Sequence, residues 1–387
     1  MFDAKTCSYP WIEMQLNYDG TYGLCCFHVP FKRGTDNLNE LWNSDKTMAF
    51  RDNIKNYDTK DSICHTCAMH RMDMSCPQFD DFIYSGRQDL AGMNVIAAKE
   101  EFEKRKLSLS SRPLRLYINF GLECNLACKM CSQMTLRRQH PEVFDAGVLY
   151  TQIDFLSHVS EIIIIGGEPF VLKPALDFMK FAAKHDVLKK IKYRITTNGT
   201  LINSHLGLLS EFDNLSLSFS IDSYGKYYED IRIGANWEKV RANVEIYDEL
   251  AKTRPGWDRV NICCVLMLSG LPGLYDLCKW CVENEYNLGF GRVFDDADPK
   301  IIKENIFEHR DSLGGCPGWM DIFKKCIKLL FISGYDAAAG QLFNYFYMIS
   351  SGQSEAEKYR IQRDMLVASR WRKLGLSLGI VKRQSFE

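Results

Sequence analysis

Apolar residues recur along this chain in two rhythms. From residue 114 onward, short runs rich in β-branched and aromatic residues alternate with longer stretches whose apolar positions repeat at helical spacing. The strand candidates are LRLYINF (114–120), EIIIIGG (161–167), KYRITTN (192–198), LSLSFSID (215–222), RVNICCVLM (259–267) and LGFGRVF (288–294). Between them lie helical segments such as PALDFMKFAAKHD and NWEKVRANVEIYDELAK. This alternation predicts an α/β fold of parallel strands with helical crossovers, either an open sheet or a partly closed barrel. In such barrels the chemistry collects at the C-terminal ends of the strands, so the residues just after each strand carry most of the information.

The pattern divides the chain. Residues 1–80 form a Cys-rich block with short strand-like runs and a helical stretch, NELWNSDKTMAFRD, which predicts a small α+β domain. Residues 81–111 read as a helical linker containing AAKEEFEKRK and ending in the polar run SLSSRP, a boundary signal. Residues 112–296 hold the barrel pattern, and 297–387 read as a helical C-terminal extension. No internal repeat or low-complexity tract interrupts this order.

Composition narrows the function. The chain has 387 residues and a formal net charge of −1, without the basic stripe expected of a nucleic-acid binder. No run of about eighteen uninterrupted apolar residues predicts a membrane span. The start, MFDAKTCSYPW, lacks the regions of a signal peptide, so a cytoplasmic location is expected. In that reducing compartment 15 cysteines point to metal or redox chemistry more than to disulfides.

The segment GLECNLACKMCSQ follows the first barrel strand and carries Cys124, Cys128 and Cys131. A short loop with this Cys-x3-Cys-x2-Cys spacing can turn three thiolates toward one point. Thiolates are the usual ligands of iron–sulfur clusters. Three ligands for four irons leave one iron open to a small molecule. Spacing alone also admits a zinc knuckle, with His140 as a fourth ligand.

The loop after a first barrel strand resembles the signature of the radical S-adenosylmethionine (SAM) superfamily. The resemblance implies a partial (β/α)6 barrel of that type, with a [4Fe–4S] cluster on Cys124, Cys128 and Cys131 whose open iron chelates SAM. One-electron reduction would then cleave SAM to a 5′-deoxyadenosyl radical that removes a hydrogen atom from a substrate. A reduced flavodoxin- or ferredoxin-type donor is the implied electron source. The residue before the third cysteine, usually aromatic in that family, is here Met130.

Other strand ends fit the same reading. Gly166, Gly167, Glu168 and Pro169 resemble the family's GGEP motif, which grips the SAM amino group. By themselves they could be a glycine turn that lets a backbone approach a ligand. Asn198, in TTNGT, falls beside the expected substrate and SAM, although an Asn-Gly turn explains it equally. Ser218, Ser220 and Asp222 alternate along one strand side and could reach the SAM ribose. Arg232 could pair with the SAM carboxylate.

In the N-terminal block, Cys7, then Gly20-x4-Cys25, then a helix, then Cys64-x2-Cys67 resembles the SPASM and twitch domains, here placed ahead of the barrel. That likeness implies one auxiliary [4Fe–4S] cluster on Cys7, Cys25, Cys64 and Cys67, with Cys26 and Cys76 in reserve. A structural zinc site is the alternative. The scattered Cys263, Cys264, Cys278, Cys281, Cys316 and Cys326 read as small buried hydrophobes. The expected activity is radical SAM chemistry on an organic substrate, with a peptide or protein side chain first. A carbohydrate or other small metabolite, or a non-catalytic iron–sulfur electron carrier, are the alternatives. The GGEP segment speaks against a carrier, which needs no SAM site.

Overall fold

The computed structural model describes residues 7–25, 30–56, 78–82, 89–293 and 299–350. The strands are β1 (Glu13–Leu16), β2 (Thr21–Gly23), β3 (Phe31–Lys32), β4 (Arg115–Asn119), β5 (Ala127–Cys128), β6 (Glu161–Ile165), β7 (Lys192–Thr197), β8 (Asn214–Ser220), β9 (Arg232–Ile233), β10 (Asn261–Leu266) and β11 (Asn287–Arg292). Every barrel strand read from the sequence is present, within a residue or two. β4, β6, β7, β8, β10 and β11 pair in parallel in that order, as a (β/α) sheet requires.

The strands and crossover helices explain each other. Tyr193, Ile195, Leu215, Leu217 and Phe219 are buried on one face of the sheet. The crossover Lys173–Ala183 buries Ala175, Phe178, Met179 and Ala182, spaced for one helical face, against that side. Trp237–Ala251 does the same with Val240, Val244 and Tyr247, and starts where the Asn236 side chain accepts from Lys239 N at 3.0 Å. The opposite face keeps polar or small residues, among them Thr196, Ser218, Asn261 and Gly289.

The N-terminal block does not stand apart from the barrel. β1 pairs in parallel with β4, placing Glu13 beside Arg115, and β2 and β3 continue the sheet as an antiparallel meander. Gly20 closes the β1–β2 turn at φ 74°, a conformation that glycine adopts without a Cβ clash. The expected single helix in NELWNSDKTMAFRD is two, Leu38–Trp42 and Asp45–Asn56. The polar run read as a boundary is held, not loose. Trp42 Nε1 donates to Ser111 O at 2.9 Å, Asn43 and Leu109 exchange bonds of 2.9 and 2.8 Å, and Arg51 Nη1 donates to Leu107 O at 2.8 Å.

At the other edge, helix Asp336–Ile349 covers β11. Gln341 accepts from Phe290 N at 2.9 Å and donates to Phe290 O at 2.6 Å, so one side chain satisfies backbone groups a further strand would have used. Among the described residues no helix is long and apolar enough to cross a membrane.

The N-terminal end of the barrel is closed by charge. Glu161, fully buried, is bonded by Arg115 Nε at 2.5 Å and by Arg194 Nε. Burial works to raise Glu161, but the two guanidinium groups hold it below the ordinary carboxylate range. Glu13, also buried, sits 3.8 Å from the already committed Arg115, and burial pushes it up to about 7. An acid with a raised folded-state pKa favours folding at low pH and loses that contribution as pH rises toward the folded value. We expect stability to fall by about 1 kcal/mol per pH unit between about pH 5 and 7, and Glu13→Gln to remove that slope. Urea unfolding across this range checks it; parallel curves for the two proteins would mean that Glu13 is ionised throughout.

Candidate functional site

β4 ends at Asn119, and the chain enters the three-cysteine loop. Cys128 lies in β5, which pairs antiparallel with β9, opposite Arg232. Lys129 N donates to Ile231 O at 2.9 Å and Cys131 N to Cys128 O at 3.1 Å, which folds the loop back on itself. Cys128 is buried, while Cys124 and Cys131 are half-buried. Burial pushes the Cys128 thiol up to about 11, against the pull of Arg232. Met130, in the usual aromatic position, packs on the small apolar cluster of Ile231, Met267, Val293 and Ile301.

Each of the three sulfurs receives one side-chain N–H. Asn198 Nδ2 donates to Cys124 Sγ at 3.8 Å, Arg232 Nη1 to Cys128 Sγ at 3.8 Å, and Arg137 Nη2 to Cys131 Sγ at 3.6 Å. Neutral thiols are weak acceptors, whereas thiolates bound to a metal are good ones. Arg137 Nε is buried with no hydrogen-bond partner. Two guanidinium groups on three sulfurs suit an anionic group there, as a thiolate-bound iron–sulfur cluster is. His140, the fourth ligand a zinc knuckle would use, is exposed with Nδ1 3.7 Å from Glu142. Among the described residues no three His, Cys, Asp or Glu side chains stand close enough together to hold a single metal ion.

The segment after β6 changes the role expected of its glycines. They admit another stretch of backbone, not only a ligand. A Cβ on Gly167 would stand 2.0 Å from Glu123 O, and one on Gly166, at φ 134°, 2.4 Å from Gly121 O. Gly167 N donates to Gly121 O at 2.9 Å and Glu168 N to Glu123 O at 2.8 Å, so the GGEP turn is bonded to the start of the cysteine loop. The Glu168 side chain, 1% exposed, accepts from Thr197 Oγ1 at 2.8 Å, Phe170 N at 3.3 Å and Asn198 N at 2.7 Å. Burial raises its pKa, and these bonds pull the other way. Pro169 is also buried.

The remaining expected residues divide. Asn198 is brought to the loop, donating also to Asn125 Oδ1 at 2.9 Å. Arg232 is brought to Cys128, but its Nε is committed to Asp222 at 2.8 Å. Asp222 faces inward, its other oxygen accepting from Val265 N at 2.9 Å. Burial opposes the charge on Arg232, while Asp222 and Cys128 hold it firmly protonated. Ser220 lies on the barrel's inner face in register with Cys263. The scattered cysteines are buried except Cys263, which is exposed on that inner face; this corrects the expectation that all six are core. Cys7 and Cys25 are half-buried on either side of the β1–β2 hairpin, whereas Cys64, Cys67, Cys26 and Cys76 lie outside the described residues. Sequence reasoning missed Arg137. Nothing in its spacing marks it, because its reach to Cys131 depends on how helix Gln133–Gln139 turns back over the loop.

Residues 118–276 match the radical SAM superfamily and residues 7–68 the SPASM iron–sulfur cluster-binding domain. Among solved structures, native anSMEcpe with bound AdoMet and Cp18Cys peptide is 24% identical with a TM-score of 0.41, over 59% of this chain and 62% of that one. SuiB of Streptococcus suis bound to S-adenosylmethionine is 18% identical with a TM-score of 0.43, over 72% and 64%. SuiB bound to its precursor peptide SuiA is 17% identical with a TM-score of 0.41, over 76% and 64%. The chain thus spans less than two thirds of the length of these proteins. No curated protein matches it.

Glu168→Gln separates a structural staple from a pure ligand contact. Glutamine places an NH2 where one carboxylate oxygen now accepts, and every facing group is a donor. We expect the protein without SAM to lose about 1–3 kcal/mol of stability. Denaturation of the SAM-free variant measures this; native stability would leave Glu168 no stapling role.

Proposed function

We propose that this chain, which belongs to the radical SAM superfamily and carries a SPASM iron–sulfur domain ahead of the barrel, reductively cleaves SAM and abstracts a hydrogen atom from a peptide or protein side chain. Its cofactors are a SAM-binding [4Fe–4S] cluster, SAM, and auxiliary iron–sulfur. The observation that carries the reading is the set of three loop sulfurs, each with its own N–H donor, beside the GGEP turn. When bound, cluster and SAM supply one-electron cleavage of the sulfonium bond and the radical that follows.

The chain's own residues position these groups. Cys124, Cys128 and Cys131 are the cluster ligands in this reading. The Gly166–Pro169 turn and Asn198 shape the SAM side of the loop, with the buried Glu168 charge near the SAM amino group. Arg232, held by Asp222, fixes Cys128 and offers its remaining N–H groups to the SAM carboxylate. Ser220 faces the ribose. The substrate would enter over the polar inner face at Thr196, Ser218 and Cys263. A peptide is favoured because SPASM-type domains accompany peptide-modifying relatives. Residues 1–80 would hold one auxiliary [4Fe–4S] cluster through Cys7, Cys25, Cys64 and Cys67, joined by the linker 81–111 to the barrel 112–296 and the extension 297–387. A flavodoxin- or ferredoxin-type protein would supply the electron.

Two measurements test this. Anaerobically reconstituted protein should form 5′-deoxyadenosine on reduction, and replacing Cys124, Cys128 and Cys131 with alanine should abolish it; undiminished product in that triple variant would sink the assignment. The same variant should still hold about four irons per chain with thiolate-to-iron absorbance, and adding Cys64→Ala and Cys67→Ala should remove them. Zinc in place of iron would favour a structural knuckle, and about eight irons would mean a second auxiliary cluster.

A further inference from the structure

The three donors to the loop sulfurs are not alike in charge. Asn198 is neutral. Arg232 is a cation, but its Nε is paired with the carboxylate of Asp222 at 2.8 Å, so the pair is close to neutral. Arg137 is the third, and among the described residues no carboxylate forms an ion pair with it. Its Nη1 donates to Leu126 O at 3.0 Å, its Nη2 to Cys131 Sγ at 3.6 Å, and its Nε is buried without an acceptor. One guanidinium thus joins the middle of the cysteine loop to its last sulfur, and brings there a positive charge with no ion-pair partner among the described residues.

We propose that Arg137 is a positioning residue that, acting through Cys131, raises the reduction potential of the loop cluster. The inference rests on the cluster assignment made above. Three thiolates on a four-iron core give an anion, and reduction adds a further negative charge. A nearby uncompensated cation and an N–H···S bond both stabilise the more negative state. The half-buried setting of Arg137 weakens solvent screening of that charge. Arg232 contributes its hydrogen bond to Cys128 but little net charge, because Asp222 offsets it. Arg137 is therefore the side chain through which this loop favours electron uptake.

The test is a redox titration followed by electron paramagnetic resonance on the full-length protein. The cluster in question is identified as the signal that SAM perturbs, which separates it from auxiliary iron. In Arg137→Gln, which keeps a donor but loses the charge, the reduced-to-oxidised ratio at a fixed poise should fall about tenfold, equivalent to about 59 mV for one electron. Arg137→Lys, which keeps the charge, should recover most of the shift. Iron content and the SAM-induced spectral change should survive in both. An unshifted midpoint in Arg137→Gln with full iron would overturn the inference, leaving Arg137 a packing residue. Loss of the cluster from both variants would overturn it as well, because lysine preserves the charge and only the guanidinium's loop contacts would then matter. Failure of the functional reading itself would look different: the unaltered protein would show no SAM-responsive signal.

Discussion

The site depends on one close approach of two backbones. The turn after β6 lies against the start of the cysteine loop so tightly that no side chain fits at Gly166 or Gly167. Two N–H groups of the turn donate to loop carbonyls, and Glu168 then reaches across to the end of β7. The ends of three neighbouring strands are thereby locked together. A loop of this length could otherwise take many shapes, and ordering it costs conformational entropy. These bonds offset part of that cost, so the sulfurs are presented by a hydrogen-bonded frame.

Charge is distributed along the barrel axis with the same economy. At the N-terminal end the buried Glu161 carboxylate is held between Arg115 and the partly exposed Arg194, where an unpaired charge would be costly, and Arg194 also lies 3.9 Å from Asp258. Glu13 joins that group from the hairpin of the N-terminal block, so this block and the barrel share a sheet and a buried polar cluster. At the C-terminal end the balance is left open. Arg232 has Asp222, but among the described residues no carboxylate forms an ion pair with Arg137, which suits a place where an anionic group is held.

Much of this was legible in the sequence. The six barrel strands were readable because each is a short β-rich run with helical spacing on both sides, and period is a local property. The cysteine loop was readable because its three cysteines are close in the chain. The hairpin β1–β2 was not assigned to the barrel sheet, because EMQL is too short to reveal its partner and strand pairing is set by distant residues. Glu168 and Arg232 were singled out, yet their immediate partners were not foreseen. Thr197, Asn198 and Asp222 come from other strand ends, and only closure of the sheet brings them within hydrogen-bond reach.

The sequence by itself determined the order of strands and helices and the close spacing of Cys124, Cys128 and Cys131, since each follows from neighbours along the chain, whereas the need for glycine at 166 and 167 is set by the distant backbone of Gly121 and Glu123. Only the tertiary structure decided which side chain meets which sulfur. Asn198, Arg232 and Arg137 lie 74, 104 and 6 positions from the cysteines they touch. A hydrogen bond to sulfur is short-ranged and directional, so it exists only once strand ends, crossover helices and the returning helix Gln133–Gln139 have fixed the relative positions of both partners.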